Sequence, residues 1–495
     1  VTRIARLTAA LFFLFLSYYL IKPLRTSQFL REFSPQTLPA IYLVVSLLSW
    51  LLTKGFQAAA ARLSRTWLVT LTFGLTMLVQ GAFAWAIPRG GQATTAAFYL
   101  WSSVYFLLLA STFWGVLNER FSPIQAQKNF ASVALGATLG NIAGAFLADL
   151  LAHYQWRSGC LLWSALALGL SLILLLPELR YPKLDKPLAL ASRPESTWLQ
   201  HLPLRALALM VIGLAVFSTT LDFLTQKRLD EQLGRETYVA VMGSHWPEGH
   251  QEFKSLRSQP PTVDDWRQLS QSSGLSVGQL QRSFEDYRDR LELSIRGLYA
   301  RIFWIQGLCG LFSLAVLCRP LVLRLGLRRS LLVLPTTIIL VLPLLALPLE
   351  VWAIEFLLIL MGTLNYSLNN PLKEMLYSHC DSQATITAKP IIEGPCMRLG
   401  DVLCALVGLL LVALGWRAEL SLVLVGGLVL LWWGALHRLE FAEAGGVVDS
   451  QQAGTHDLSD HGQLPKATPG LGQGAQPAEP DHGGLQAEAE QGIDG

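Results

Sequence analysis

The stretch LTAALFFLFLSYYLIKPLRTSQFL, residues 7–30, decides the fold of this chain. Its first part, Leu7 to Ile21, holds no charged side chain, then meets Lys22 and Arg25 before turning apolar again. About 20 apolar residues in a helix cross the roughly 30 Å of bilayer hydrocarbon, where only a backbone that satisfies its own hydrogen bonds is stable. The run follows Arg3 and Arg6 in the manner of a signal peptide, but no small-x-small cleavage site comes after it. It reads as an uncleaved first membrane span.

Windows of the same kind recur almost to Glu440, near 7–30, 39–56, 67–88, 96–117, 130–151, 159–177, 204–225, 298–318, 330–348, 352–371, 391–414 and 420–437. They predict an all-α polytopic membrane protein of about 12 transmembrane helices in two six-helix halves. Composition agrees: the 495 residues are 52% hydrophobic and 15% charged, with a mean hydropathy of +0.41, where soluble domains carry about 25% charged residues. A formal charge of +3 is too small to predict a nucleic-acid partner. Cys160, Cys309, Cys318, Cys380, Cys396 and Cys404 lie in or beside apolar segments without C-x-x-C spacing, so they read as small packing residues, and no metal or other cofactor is expected.

With the N-terminus placed inside, Lys54, Arg62, Arg65, Arg180, Lys183, Lys186, Arg193, Arg319, Arg324, Arg328 and Arg329 fall in inner short loops. Only a few cations, such as Arg31, Arg89, Arg157 and Arg417, fall outside. This positive-inside asymmetry predicts two cytoplasmic termini in a bacterial-type plasma (inner) membrane. Residues 1–177 form the first half, a basic, Pro-containing stretch at 178–203 the cytoplasmic linker, and 204–437 the second half. A polar insert at about 228–295 interrupts the second half and falls outside the membrane. Within it Val277, Leu280, Phe284, Tyr287 and Leu291 recur at helical spacing behind a capping Ser276, which predicts a small helical cap. From 438 to 495 the Gly-, Gln-, Asp-, Glu- and Pro-rich composition predicts a disordered cytoplasmic tail, its His456, His461 and His482 too scattered for a metal site.

Ionisable residues inside spans are expensive, about 2.5–3.5 kcal/mol each on insertion scales, and they mark solute paths when they recur between repeats. Lys22 and Arg25 stand near the end of the first span, and Asp222, Lys227 and Arg228 near the end of the seventh. The fourth span of each half ends in amides beside a carboxylate and a cation: Asn118, Glu119 and Arg120, then Asn369, Lys373 and Glu374. A lysine follows each, Lys128 or Lys389, and then a glycine-bearing span with Gly136, Gly140 and Gly144 or Gly394, Gly400 and Gly408, which lets helices approach closely. Two readings of Lys22 and Arg25 stay open: snorkelling anchors at the interface, or cations lining a cavity for an anionic solute. Glu393, Arg398 and Asp401 lie within an apolar span, and the i,i+3 spacing of Arg398 and Asp401 permits a structural pair on one face. Asp149, His153, His379 and His437 read as interfacial.

The same residues carry a resemblance to the nucleotide transporter (ATP/ADP translocase) family, related to the major facilitator superfamily. The resemblance is densest in NNPLKEMLY (Asn369 to Tyr377), AKPIIE (Ala388 to Glu393) and RLGD (Arg398 to Asp401). A second group comprises Phe113, Trp114, Asn118, Ala126, Phe130, Asn141 and Gly144, and YYLIKPLR (Tyr18 to Arg25) is similar to the family's first-span pattern. Thr26 stands where the ATP/ADP exchangers have an acid and Asp401 where they have a lysine, so the chain resembles a divergent bacterial member. The resemblance implies a major-facilitator-like fold and an antiporter or other secondary transporter of an anionic solute, a nucleotide such as ATP or ADP or another phosphorylated metabolite. Lys22, Arg25, Asn118, Lys227, Asn369, Lys373 and Lys389 are the expected solute-binding residues. Glu119, Asp222, Glu374, Glu393, Arg398 and Asp401 are the expected gating or coupling residues.

No G-x-x-x-x-G-K-[ST] loop encodes a motor. An intramembrane aspartyl protease needs G-x-G-D, and Arg398 occupies the place of its first glycine, so no enzyme is expected. A transporter-derived sensor or scaffold, using the insert and tail to bind partners, is the other reading the sequence allows.

Overall fold

The computed structural model describes residues 2–121, 123–154, 156–180, 201–257, 261–378, 380, 388–389 and 391–439. Most of the expected linker, the expected tail from Glu440 with its three histidines, and His379 lie outside the described residues.

Twelve helices long and apolar enough to cross a membrane occur among the described residues. The first six are α1 (Thr2–Glu32), α2 (Leu38–Arg62), α3 (Arg65–Ala86), α4 (Gln92–Arg120), α5 (Pro123–His153) and α6 (Arg157–Leu175). Next come α7 (Leu202–Met242), two short helices α8 (His250–Leu256) and α9 (Val263–Ser273), then α10 (Val277–Ser313) and α11 (Arg319–Leu345). The chain continues with α12 (Val351–Leu364), α13 (Asn370–Ser378), α14 (Met397–Ala413) and α15 (Ser421–His437). α12 and α13 form one span through a π-helical turn at Asn365–Asn369, and further π turns stand at Leu314–Cys318 and Ile392–Cys396.

Lipid explains the outer surface. On α3, Trp67, Leu71, Leu75, Leu78 and Trp85 are all exposed and share one stripe, which no soluble helix would present to water. The first six helices bury α1 among α4, α5 and α6, and the two sets of six meet where α10 packs on α5 and α1 and where α14 packs on α2. Gly136, Gly140 and Gly144 sit against the backbone of α1, so close that an added Cβ would stand 2.1, 2.2 and 2.5 Å from the carbonyl oxygens of Thr8, Phe12 and Leu16. In the second set Gly400 meets α7 and Gly408 meets Pro39, while Gly394 has open space around it. Serine hydroxyls hold α6 to the other side of α1: Ser164 Oγ donates to the Ser17 carbonyl oxygen at 2.9 Å and Ser171 Oγ to that of Ala10 at 2.8 Å.

At 41 and 37 residues, α7 and α10 run roughly 60 and 55 Å at 1.5 Å per residue, nearly twice the hydrocarbon thickness. Both helices therefore run on into the 228–295 stretch, and the helix that holds the eighth span begins at Val277, ahead of the expected span at 298. Ser276 caps α10 in a capping box with Gln279, and Thr262 caps α9 in another with Asp265. Leu280, Phe284, Tyr287 and Leu291 close over Tyr238, Phe253 and Trp266 to form the core of this insert. The same cluster includes Phe29 and Leu30 of α1 and Tyr99 of α4, so the insert sits on the bundle rather than hanging from it.

Gly140→Val should drive α1 and α5 apart and lower the melting temperature of the purified protein by about 5 °C or more, or abolish its membrane accumulation. Gly81→Ala, where nothing lies within 4 Å of the added carbon, should leave the melting temperature unchanged or slightly raised. Equal melting of the two variants would count against the close α1–α5 contact.

Candidate functional site

A cavity of about 190 Å³ lies between α1 on one side and α7, α10, α11 and α12 on the other. Lys22 and Arg25, one helical turn apart, point the same face of α1 into it. Since α1 runs on to Glu32, Lys22 stands roughly 15 Å short of the helix end by helical rise.

Lys22 is surrounded by aromatic rings, with Nζ 4.0 Å from the ring centre of Phe303 and 5.0 Å from that of Tyr19. The guanidinium of Arg25 lies 5.1 Å from the ring centre of Tyr99 and donates through Nη1 to Ser103 Oγ at 3.3 Å. Neither cation forms an ion pair among the described residues, and the Arg25 Nε finds no hydrogen-bond partner there. Among the described residues Asp222 is the only acid lining the cavity, and its Oδ2 accepts from Tyr42 Oη at 2.6 Å and from Gln226 Nε2 at 2.8 Å. Two cations against one carboxylate give the wall a formal charge of +1.

The remaining walls mix aliphatic side chains, Leu214, Leu221, Ile302, Leu334, Leu358 and Met361, with polar and aromatic ones. Tyr299, Phe303 and Gln306 come from one face of α10, and Asn365 and Tyr366 from the π turn that joins α12 to α13. A π turn carries one residue more than an α turn, and such turns gather at functional sites. Gly362 leaves room for Gln306, whose amide would meet a Cβ there at 2.2 Å.

Of the residues expected from sequence to bind or gate, Lys22, Arg25 and Asp222 come together in this cavity, and the others do not line it. Lys227 lies five residues after Asp222, about 140° further round α7, with its Nζ 3.6 Å from Glu419 beside Arg228. Asn369 is buried and donates to Asn365 Oδ1 at 3.2 Å. Lys373 pairs with Glu393 at 2.8 Å and Lys389 with Glu374 at 2.6 Å, both in the part of the bundle away from the insert. Arg398 pairs with Asp401 at 3.1 Å, and Asp401 also accepts from Thr219 Oγ1 at 2.9 Å. Glu119 pairs with Arg65, and Asn118 is exposed in the last turn of α4. Charges were the sequence signal. The uncharged lining of α10 and the π turn gave none beyond the shared face of Tyr299, Phe303 and Gln306.

Hydrogen bonds and ion pairs joining the first six membrane helices to the last six concentrate on the insert side. Arg31 reaches Asp289 at 2.9 Å and Glu285 at 3.0 Å, Arg157 reaches Asp289 at 2.6 Å and Glu292 at 3.0 Å, and Ser27 donates to Glu292 at 2.9 Å. Glu32 pairs with Arg288, and the insert's Arg257 donates to the Leu30 carbonyl oxygen at 2.6 Å.

Two solved structures share this fold. An auto-inhibited POT family peptide transporter matches with a TM-score of 0.51 at 13% identity, over 90% of this chain and 98% of that one. A point mutant of the nucleoside transporter NupG matches with a TM-score of 0.50 at 14% identity, over 88% of this chain and 99% of that one. No family model and no curated protein sequence matches the chain.

A wet cavity makes a direct expectation. In a background with the native cysteines replaced, Ser218→Cys on the cavity wall should react with a small water-borne methanethiosulfonate. Ser164→Cys, fully buried against α1, should not. Protection of Ser218→Cys to the level of Ser164→Cys would mean a dry seam.

Proposed function

We propose that this chain is a secondary active transporter that carries a compact anionic solute, a phosphorylated metabolite or a nucleotide, by alternating access between its first six and last six membrane helices. The observation that carries this reading is the pair Lys22 and Arg25, set deep in the bundle beside a cavity without acid partners of their own. A charge removed from water needs a partner or a cavity, because leaving it bare costs several kcal/mol. A single carboxylate already engaged by Tyr42 and Gln226 leaves room for a negative solute. The aromatic rings around Lys22 offer stacking surface for the uncharged part of that solute. A volume of about 190 Å³ lies below the roughly 300 Å³ at which small-molecule sites begin. A nucleotide therefore requires the helices to part further than a small phosphate ester does.

Asp222 holds the coupling position in this scheme. It faces the two cations across the cavity, so solute entry and protonation of its carboxylate compete for the same field. The cross-bundle network on the insert side closes the path there, and the positive-inside pattern makes that side the exterior. The Lys373–Glu393 and Lys389–Glu374 pairs then belong to the cytoplasmic side, with both partners of each pair in the last six helices.

The test is counterflow in liposomes holding the purified protein, with a panel of labelled phosphate esters and nucleotides. Lys22→Gln should reduce uptake about tenfold or more at unchanged melting temperature, as expected when one partner of a desolvated charge pair is removed. Arg25→Lys should retain more activity than Arg25→Gln. Wild-type uptake in Lys22→Gln would remove the assignment. Solute binding without counterflow would identify a sensor instead.

A further inference from the structure

A second chamber, of about 390 Å³, lies on the insert side between the end of α1, the turn from α3 to α4, and α10. Five arginines line it: Arg31, Arg89, Arg157, Arg257 and Arg288. Glu32 and Glu285 are the acids in the same wall. Further acids stand behind it, with Asp230 taking Arg257 at 2.5 Å and Lys254 at 3.5 Å, while Asp289 and Glu292 take Arg157. Glu292 also meets Arg296 at 3.5 Å. With Lys254 and Arg296 included, seven cations face five acids, an excess of two positive charges.

Two guanidiniums are left with unused capacity. Arg89 donates through Nη1 to the Trp85 carbonyl oxygen at 2.8 Å and lies 5.0 Å from the Trp85 ring centre, and it forms no ion pair among the described residues. Arg257 has a fully buried side chain whose Nε has no hydrogen-bond partner. Gly91 and Gln92 also line the chamber where α4 begins, so the positive end of that helix faces it. The geometry points to an anion-binding site in this chamber, taking a compact phosphate-type group with two or more negative charges. Planar guanidinium forks match the oxygens of such a group two at a time, and one small dianion balances the excess charge. The site is separate from the central cavity, whose cations are Lys22 and Arg25. A phosphate of this kind belongs either to a dissolved compound or to a lipid headgroup at the membrane surface.

The test is titration calorimetry of the full chain in neutral detergent with inorganic pyrophosphate as the probe. Wild-type protein should show saturable binding, and Arg89→Glu should weaken it about tenfold or more, the size of a lost charge-assisted hydrogen bond. In a Lys22→Gln background, which removes the central cavity from the readout, saturable binding should remain and Arg89→Glu should still weaken it. Arg267→Ala, an exposed insert arginine paired with Asp264 at 3.2 Å, should bind as wild type. Melting curves establish that each variant is folded. Absence of saturable binding by the wild type, or wild-type binding by Arg89→Glu, would overturn the site. Loss of binding in Lys22→Gln alone would also overturn it, by assigning the anion to the central cavity. The source of the phosphate follows from nanodiscs with and without phosphatidylglycerol. Pyrophosphate binding blocked only by the anionic lipid identifies a headgroup as occupant, and equal binding in both identifies a dissolved compound.

Discussion

Two like charges one turn apart on a membrane helix, without acid partners, constrain the architecture around them. α1 satisfies the constraint by dividing its faces. One is apolar and packed so tightly that Gly136, Gly140 and Gly144 of α5 touch its carbonyl oxygens, and serines of α6 bond others. The other carries Lys22 and Arg25 toward α7 and α10. The tight face fixes the rotation of α1, and so fixes where the cations point. Rotating the helix by even half a turn would press them into the α5–α6 seam, where no water or partner could offset the several kcal/mol of desolvation.

The two clefts differ in how their charges are held. In the central cavity the positive charges meet rings, a hydroxyl and a single, already engaged carboxylate. On the insert side nearly every arginine has an acid, and most pairs span the junction of the first six membrane helices with α10. Lys22 and Arg25 sit among apolar spans without an acid of their own, whereas the insert-side arginines meet both buried acids, Glu32, Asp230 and Glu292, and half-exposed ones, Glu285 and Asp289.

Much of the frame was legible in the amino-acid sequence, because lipid imposes a length and an apolar composition on each span. The helical cap was legible too: Ser276 and the spacing of Leu280, Phe284, Tyr287 and Leu291 have one physical reading, and those side chains form the insert core. Correspondence between halves was a poorer guide to the cavity. Lys227 occupies a place in α7 like that of Arg25 in α1 but faces Glu419, because helical phase and not order along the chain decides where a side chain points. Lys373 lies seven residues beyond Tyr366, roughly 10 Å further along the span, and is paired with Glu393. Tyr299, Phe303, Gln306 and Asn365 left no mark in the sequence because aromatics and amides occur in packed interfaces as well as in cavities. The π turn that presents Asn365 and Tyr366 is a backbone event without a residue signature.

The insert-side network has the energetics of a latch rather than a weld. Asp289 and Glu285 are about half exposed, with side-chain exposures of 46% and 55%, and pairs of that kind contribute roughly 0–1 kcal/mol each. Several together join the two sets of helices by no more than a few kcal/mol. Glu292 differs, since its side chain is fully buried and would be stranded if Arg157 of α6 and Ser27 of α1 withdrew from α10. Arg296, equally buried and one turn away on α10 itself, stays with Glu292 however that helix moves. Its nitrogens lack hydrogen-bond partners among the described residues. On the alternating-access reading, Arg296 is the counter-ion that Glu292 keeps when the halves part. This explains why the span holds a buried acid and base on the same helix where an apolar pair would pack as well.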